Sequence, residues 1–253
     1  MVFLLQLLYP TYLKDFNAAP GYLQHKYYND MLLDTVISLI APHVCVGCGV
    51  DGWVLCESCG SSELVSLPPR CAFCHARSPS SKVCTKHRSF APIGHIWIRT
   101  TYDGIAETAL RKYKFERARA AHKDIAKEMV VALPILPNKT VVVPVPTATS
   151  RVRLRGYDHA QLLAKYVARN QNFVYQPVLG RTGQTRQLGA TRKTRLQQLS
   201  GAFYVRDARK ITDKTILLID DVMTTGATIS SAAKILKAAG AKQVNALLFA
   251  QKV

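Results

Sequence analysis

The sequence predicts an α/β protein: a mostly parallel sheet flanked by helices, preceded by a small module organised by cysteines. Two observations carry this expectation. Residues 215–228 read TILLIDDVMTTGAT, an apolar run, two acids and a polar turn, and the residues that follow have helical spacing. All seven cysteines fall between residues 45 and 84, which confines whatever they build to one short segment. At 253 residues the chain can bury a good core, as one domain or as two.

Residues 1–30 show no clear periodicity and read as a poorly defined extension ahead of Met31. Their opening, MVFLLQLLYP, has no basic residue before its apolar run and no small-residue cleavage site, so no signal peptide is expected. No stretch reaches the roughly 18 apolar residues of a membrane span. A cytoplasmic protein is expected.

The cysteines stand as CVGC (Cys45, Cys48), CESC (Cys56, Cys59) and CAFC (Cys71, Cys74), and CTKH (Cys84, His87) repeats the spacing with a histidine at its end. Two residues between ligands let the chain turn so that both side chains reach one metal, and Gly47, Gly49 and Gly60 ease such turns. An odd number of regularly paired cysteines argues against disulfides. Eight ligands make two tetrahedral Zn²⁺ sites, one of four cysteines and one of three cysteines with His87; no position is left for water, so both read as structural. His43 and His75 are weaker substitutes for His87. The pairing of the hooks is open. Separations of 22 and 24 residues favour an interleaved arrangement, first hook with third and second with fourth. The expected division is an extension over 1–30, a zinc-binding module over 31–90 and the α/β domain over 91–253.

Residues 102–133 are expected to be helical, with Ile105, Ala109 and Tyr113 and then Ile125, Met129 and Leu133 recurring on a face. The β-branched run 140–143 reads as a strand that Pro144 and Pro146 close, leading into a rigid loop. Arg151, Arg153 and Arg155 follow at the carboxyl end of the sheet, where open α/β folds bind ligands. Each is either an exposed basic residue or an anion ligand. Asp158 and Gln161 have the spacing of a capping box ahead of LLAKYVA.

The run 215–219 has the character of a strand covered on both faces, which puts Asp220 and Asp221 at its carboxyl end. Beyond Gly226, the residues Ile229, Ala232, Ala233, Leu236 and Ala239 share a helix face, and Gly240 suits its C-cap. The turn before that helix, Thr224, Thr225, Gly226, Ala227 and Thr228, offers unpaired N–H groups, a positive dipole end and hydroxyls, which is the chemistry of a phosphate site. Two carboxylates beside a phosphate make sense if the ligand also carries hydroxyls or a cation, as a phosphorylated sugar with Mg²⁺ does. Without such a ligand the same residues are a capped turn, with Asp221 or Thr225 as N-cap.

The net charge is +18, and its distribution is uneven: six basic and six acidic residues precede residue 88, against 28 and ten from there on. No acid stands between Asp158 and Asp207. So sustained an imbalance favours a polyanion partner over a merely solvated face. Within it, Arg181, Arg186, Arg192, Lys193 and Arg195 are candidate nucleic-acid contacts, in a polar stretch that reads as a loop overhanging the sugar-phosphate site.

The order apolar run, DD, two spacers, TTGAT resembles the phosphoribosyl pyrophosphate (PRPP) motif of type I phosphoribosyltransferases. That resemblance implies that Asp220 and Asp221 hold ribose hydroxyls, that Thr224–Thr228 cradle the 5'-phosphate, and that the loop bearing Arg151 and Arg155 takes pyrophosphate. With four hooks ahead of it, and with YDGIAETALRKYKF (102–115) and VPVPTATSRVRLRGYDHAQLLA (143–164) between, the chain from Met31 onward resembles the ComF family of competence-associated proteins. It departs from the family at His87, where cysteine is usual, and at Asp158-His159, where Asn-Gln is frequent. The family implies a role in uptake of single-stranded DNA during natural transformation, with PRPP and Mg²⁺ as ligands and a helicase-like protein as partner. Two functions of different class follow: a DNA-binding competence protein that takes PRPP as ligand, or an active Mg²⁺-dependent phosphoribosyltransferase with an unidentified acceptor.

Overall fold

The structure, a computed structural model, describes residues 43–116, 118–182 and 202–253. Residues 44–253 form one compact unit. In chain order the elements are α1 (Glu57–Ser62), α2 (Thr85–Arg88), β1 (Ile96–Thr101), α3 (Gly104–Phe115), α4 (Ala121–Val131), β2 (Val141–Pro144), α5 (Thr149–Arg155), α6 (His159–Asn170), β3 (Val174–Tyr175), β4 (Leu179–Arg181), β5 (Phe203–Val205), β6 (Thr215–Met223), α7 (Ala227–Ala238) and β7 (Gln243–Gln251).

Five strands make one parallel sheet in the order β1-β7-β6-β2-β3. The connection leaving β2 runs to β3 on one side, and the connection leaving β6 runs to β7 on the other. The switch point of the topology therefore lies between β2 and β6, where open α/β sheets bind ligands. β4 and β5 form a separate antiparallel pair.

Both faces of the sheet are covered, as the unbroken apolar strands require. Val142, Leu217, Ile219, Leu247 and Phe249 belong to one buried cluster with α3, α4 and α6 residues such as Tyr113, Ile125 and Leu163. Their alternates, Val141, Val143, Ile216, Leu218, Ala246 and Leu248, belong to a second cluster with Ile229, Ala233 and Leu236 of α7. Each fully buried side chain of this kind contributes about 1.5–3 kcal/mol.

Three expectations are modified. The helix over 102–133 is two helices, because the stripes ending at Tyr113 and starting at Ile125 are about 120° out of phase on a continuous helix; the chain leaves helical geometry at Glu116 (φ −103°, ψ 16°) and starts again at Ala121. β6 also runs past its acids to Met223, because β7 continues alongside and pairs Val222 with Ala250 and Met223 with Gln251. The basic segment after β2 is a short helix, α5, rather than a loop. Other expectations match. β2 ends at Pro144, Asp158 caps α6 by accepting from Gln161 N, and α7 closes on Gly240 (φ 93°) with Gly240 N bonded to Lys237 O and Ala241 N to Leu236 O, a Schellman pair. Among the described residues no helix is long and apolar enough to cross a membrane.

Candidate functional site

The hooks close in sequence order. Cys45, Cys48, Cys56 and Cys59 form one tetrad and Cys71, Cys74, Cys84 and His87 the other, the ligand atoms of each lying within 4.8 Å of one another. This corrects the interleaved pairing. Cys45, Cys56 and Cys59 belong to the apolar cluster on the α4 face of the sheet, and Cys71 to the cluster on the α7 face, so hooks one and three cannot meet.

Both tetrads fit Zn²⁺. Four sulfurs at about 2.3 Å from one ion stand about 3.8 Å apart, and here Cys48 and Cys56 Sγ are 3.6 Å apart, Cys74 and Cys84 Sγ 3.9 Å, and Cys71 Sγ and His87 Nδ1 3.8 Å. Backbone amides aim at the sulfurs as well: Cys56 N donates to Cys45 Sγ. Burial would raise the Cys45 thiol, but amide bonds from Cys56, Cys48 and Gly47 outweigh it and pull the thiol down to about 6, towards the thiolate a metal needs. His87 takes the eighth ligand place; His43 and His75 stand outside both tetrads.

The first tetrad is tied to the sheet by buried polar bonds. Asp124 of α4 accepts from Val54 N (2.8 Å) and Leu55 N (3.3 Å). Arg99 of β1 pairs with Glu128 at 2.9 Å and donates to Gly60 O at 2.8 Å. The second tetrad is tied at the strand ends. Gln251, 1% exposed, donates from Nε2 to Ala72 O at 2.7 Å and accepts from Arg70 Nη2.

At the switch point β6 presents Asp220 and Asp221. Burial, reinforced by the neighbouring Asp221 charge, raises the Asp220 carboxyl to about 8. Burial pushes Asp221 the same way, but Lys114 Nζ at 2.9 Å more than reverses it and holds Asp221 below its ordinary value. The adjacent acids are thus pushed in opposite directions, Asp220 up by burial and Asp221 down by Lys114. Lys114 was not singled out from the sequence: its partner lies more than a hundred residues on.

Past Met223, Thr224 and Thr225 are exposed and Gly226 turns the chain at φ 73° into α7. Neither Asp221 nor Thr225 is the N-cap; Gly226 is, without a side-chain bond. Thr225 Oγ1 accepts from Ala227 N at 3.4 Å, and Thr228 stands half-buried in the first turn. The helix start is left open to an anion.

Three arginines approach the same place. Arg155 of α5 is half-buried, its guanidinium 5.0 Å from the Phe115 ring centre, and donates from Nη1 to His159 Nδ1 at 3.3 Å. Arg181 of β4 lies over Phe203 and donates to Pro146 O. It is one of the residues expected to contact nucleic acid, and the charges acting on it, Arg151 and Asp220, put it near the β6 acids. The buried Nε atoms of Arg155 and Arg181 have no hydrogen-bond partner among the described residues, and an anion would satisfy them. Arg151 and Arg153 are exposed. Arg186, Arg192, Lys193 and Arg195 lie outside the described residues.

A buried network supports the acids. Tyr113 donates to His159 O at 2.9 Å, Tyr157 donates to Tyr113 O, and Asp158 accepts from Thr147 N and Oγ1. Burial lowers the His159 imidazole to about 4, so the ring is neutral.

Comparison with known proteins agrees with this geometry. The phosphoribosyl transferase domain model matches residues 160–252. Competence protein F of Haemophilus influenzae is 26% identical over 215 residues, covering 79% of this chain and 87% of its own. Competence protein ComFC of Bacillus subtilis is 27% identical, with 72% of this chain and 71% of its own covered; that of Streptococcus pneumoniae is 27% identical, with 74% and 78%. A solved structure, the allosteric regulatory enzyme of purine biosynthesis, matches at 14% identity and a TM-score of 0.37 over 69% of this chain and 32% of that one, and carries no weight here. Over most of its length the chain is thus similar to competence proteins F and ComFC, and its C-terminal part matches the phosphoribosyl transferase domain.

Proposed function

We propose that the protein is a competence-associated protein that binds the ribose 5-phosphate part of PRPP at the switch point and single-stranded DNA on its basic surface. One observation carries the first half: an acid pair and an uncapped helix turn stand at the end of one strand, with the half-buried arginines beside them. In this reading the 5'-phosphate accepts from the N–H groups and hydroxyls of Thr224–Thr228. The ribose hydroxyls donate to Asp220 and Asp221, and Arg151, Arg155 and Arg181 face the pyrophosphate. Mg²⁺ supplies the remaining neutralisation of a ligand that would otherwise be repelled by two acids. Lys114 keeps Asp221 ionised until a hydroxyl reaches it.

The charge distribution supports the second half, as do the relatives' names. Arg186, Arg192, Lys193 and Arg195 are taken as DNA-phosphate contacts. A complete acid pair and turn also favours a second reading, a Mg²⁺-dependent phosphoribosyltransferase whose acceptor is unidentified.

The test is PRPP and Mg²⁺ titrated into the protein with and without single-stranded DNA, following binding and pyrophosphate release. Three to five phosphate contacts imply a slope of log affinity against log salt of roughly −2 to −3.5 for DNA. Pyrophosphate release without DNA binding would move the enzyme reading ahead.

A further inference from the structure

The two tetrads open on hooks with the same backbone turn but different middle residues. In both, the residue after the second cysteine, Gly49 or His75, has positive φ (77° and 60°), and the amide of that residue returns to the first cysteine's carbonyl. The third place of the hook is Gly47 in one and Phe73 in the other. At Gly47 a side chain would meet Cys59 Sγ at 2.6 Å, so that hook must stay bare. At Phe73 the hook carries a large ring instead.

That ring ends on the turn before α7. A Cβ placed on Gly226 would stand 2.5 Å from Phe73 Cε1 and 2.6 Å from Met223 Cε, so ring and turn are in closest packing. On its other side Phe73 stacks on His87, itself a tetrad ligand, with centroids 5.5 Å apart at 19°, and Phe90 meets Phe73 edge-on at 5.3 Å. The hook's backbone is pinned beside the same strand end, because Gln251, which donates to Ala72 O, pairs with Met223 in the sheet ladder. A continuous series of contacts thus runs from the second metal site through His87 and Phe73 to Gly226.

We infer that Phe73 is a positioning residue for phosphate, and that the metal of the second tetrad braces the phosphate-binding turn. Gly226 must hold φ 73° for the N–H groups of α7 to face one point, and it has no Cβ with which to resist rotation. Phe73 supplies the missing side chain from outside. Metal loss would free His87, then Phe73, and the turn would sample other conformations at a cost in ligand affinity. The inference rests on reading residues 224–228 as the phosphate site.

The test uses the full zinc-loaded chain, with ribose 5-phosphate as probe and hydrogen exchange of the amides at 226–230 as a readout that needs no ligand. Phe73→Ala is expected to keep two zinc ions per chain, weaken ribose 5-phosphate binding about tenfold and speed exchange at 226–230, while Phe73→Leu restores most of both. A Phe73→Ala protein with the parent's affinity and exchange overturns the brace. If that variant does not fold, the parent chelated to one zinc per chain decides: faster exchange with weaker binding supports the brace, and no change in either refutes it. Should the parent itself fail to bind ribose 5-phosphate, the reading of the turn is what fails, and this inference falls with it.

Discussion

The first tetrad is set against the α4 face of the sheet and the second beside the end of β6 and the turn into α7. Cys45, Cys56 and Cys59 are buried, and their loops are gripped by Asp124, Arg99 and Glu128 on the α4 face. In the second tetrad Cys74 is exposed and Cys84 and His87 are half-exposed, and the contacts lead to Gln251, Met223 and Gly226. Two copies of one ligand pattern therefore serve different ends: one completes a core, and the other reaches a turn that binds nothing structural. Besides His87 in place of a fourth cysteine, what separates them is the surroundings.

The largest effect should come from breaking the first site. Structural zinc in small modules is worth about 10–16 kcal/mol in apparent binding, comparable to a domain's whole stability, and here the site shares its core with the sheet. Cys59→Ser is expected to lower the melting temperature by more than about 10 °C, whereas Cys74→Ser lowers it by less than half as much. Equal melting curves for the two variants would erase the distinction. Next in size is Arg99→Ala, which leaves Glu128 buried without its partner and Gly60 O without its donor; the expected loss is about 3–5 kcal/mol in denaturant unfolding.

Glycine substitutions sharpen the comparison at smaller scale. Gly49→Ala meets nothing within 4 Å and should cost only the backbone term, about 1–2 kcal/mol. Gly226→Ala carries the same term plus the collision with Phe73 and Met223, and adding Phe73→Ala should recover part of it. Denaturant midpoints of the single and double variants measure that coupling. No recovery would mean that Met223 alone resists the new methyl.

A further effect is a pH dependence. The folded state raises Asp220 from its ordinary 3.8 to about 8, so it prefers the protonated carboxyl. That contribution to stability is complete below about pH 4 and is lost as pH rises through 8. Asp220→Asn, which cannot ionise, should gain melting temperature over the parent as pH goes from 5 to 9. His159 has the opposite sign: lowered to about 4, it contributes above 6.5, and the contribution is lost as pH falls through 4. A parent and Asp220→Asn difference that is flat in pH would show that the carboxyl is not desolvated.

The sequence made local patterns legible and left distant partners hidden. Four hooks, the β6 strand with its acids, the turn and α7 each lie within a few residues, where spacing alone encodes them. The pairing of the hooks does not, because every hook has the same spacing and the choice is made by which sheet face each one joins. The 102–133 segment carried its break in the phase of its apolar stripes, a signal available but not taken. Lys114 gave none, because a lysine in a basic helix end announces nothing about an aspartate on another element. Arg181 reads in the sequence as one of a charged run, and only the fold shows its neighbours, Pro146 and Phe203. Phe73 was hidden for a related reason, since the middle of a metal hook is ordinarily free to vary.

The central claim is that the β6 acids and the α7 turn form one sugar-phosphate site, and calorimetric titration of PRPP with Mg²⁺ into the parent and into Asp220→Ala/Asp221→Ala tests it most directly. Removing both acids takes away the hydroxyl partners and leaves the phosphate turn. The account predicts a double variant that melts within a few degrees of the parent, because a desolvated acid is lost along with a paired one, and that binds at least about tenfold more weakly, the equivalent of one or two charge-assisted hydrogen bonds. A folded double variant that binds PRPP as tightly as the parent would contradict it.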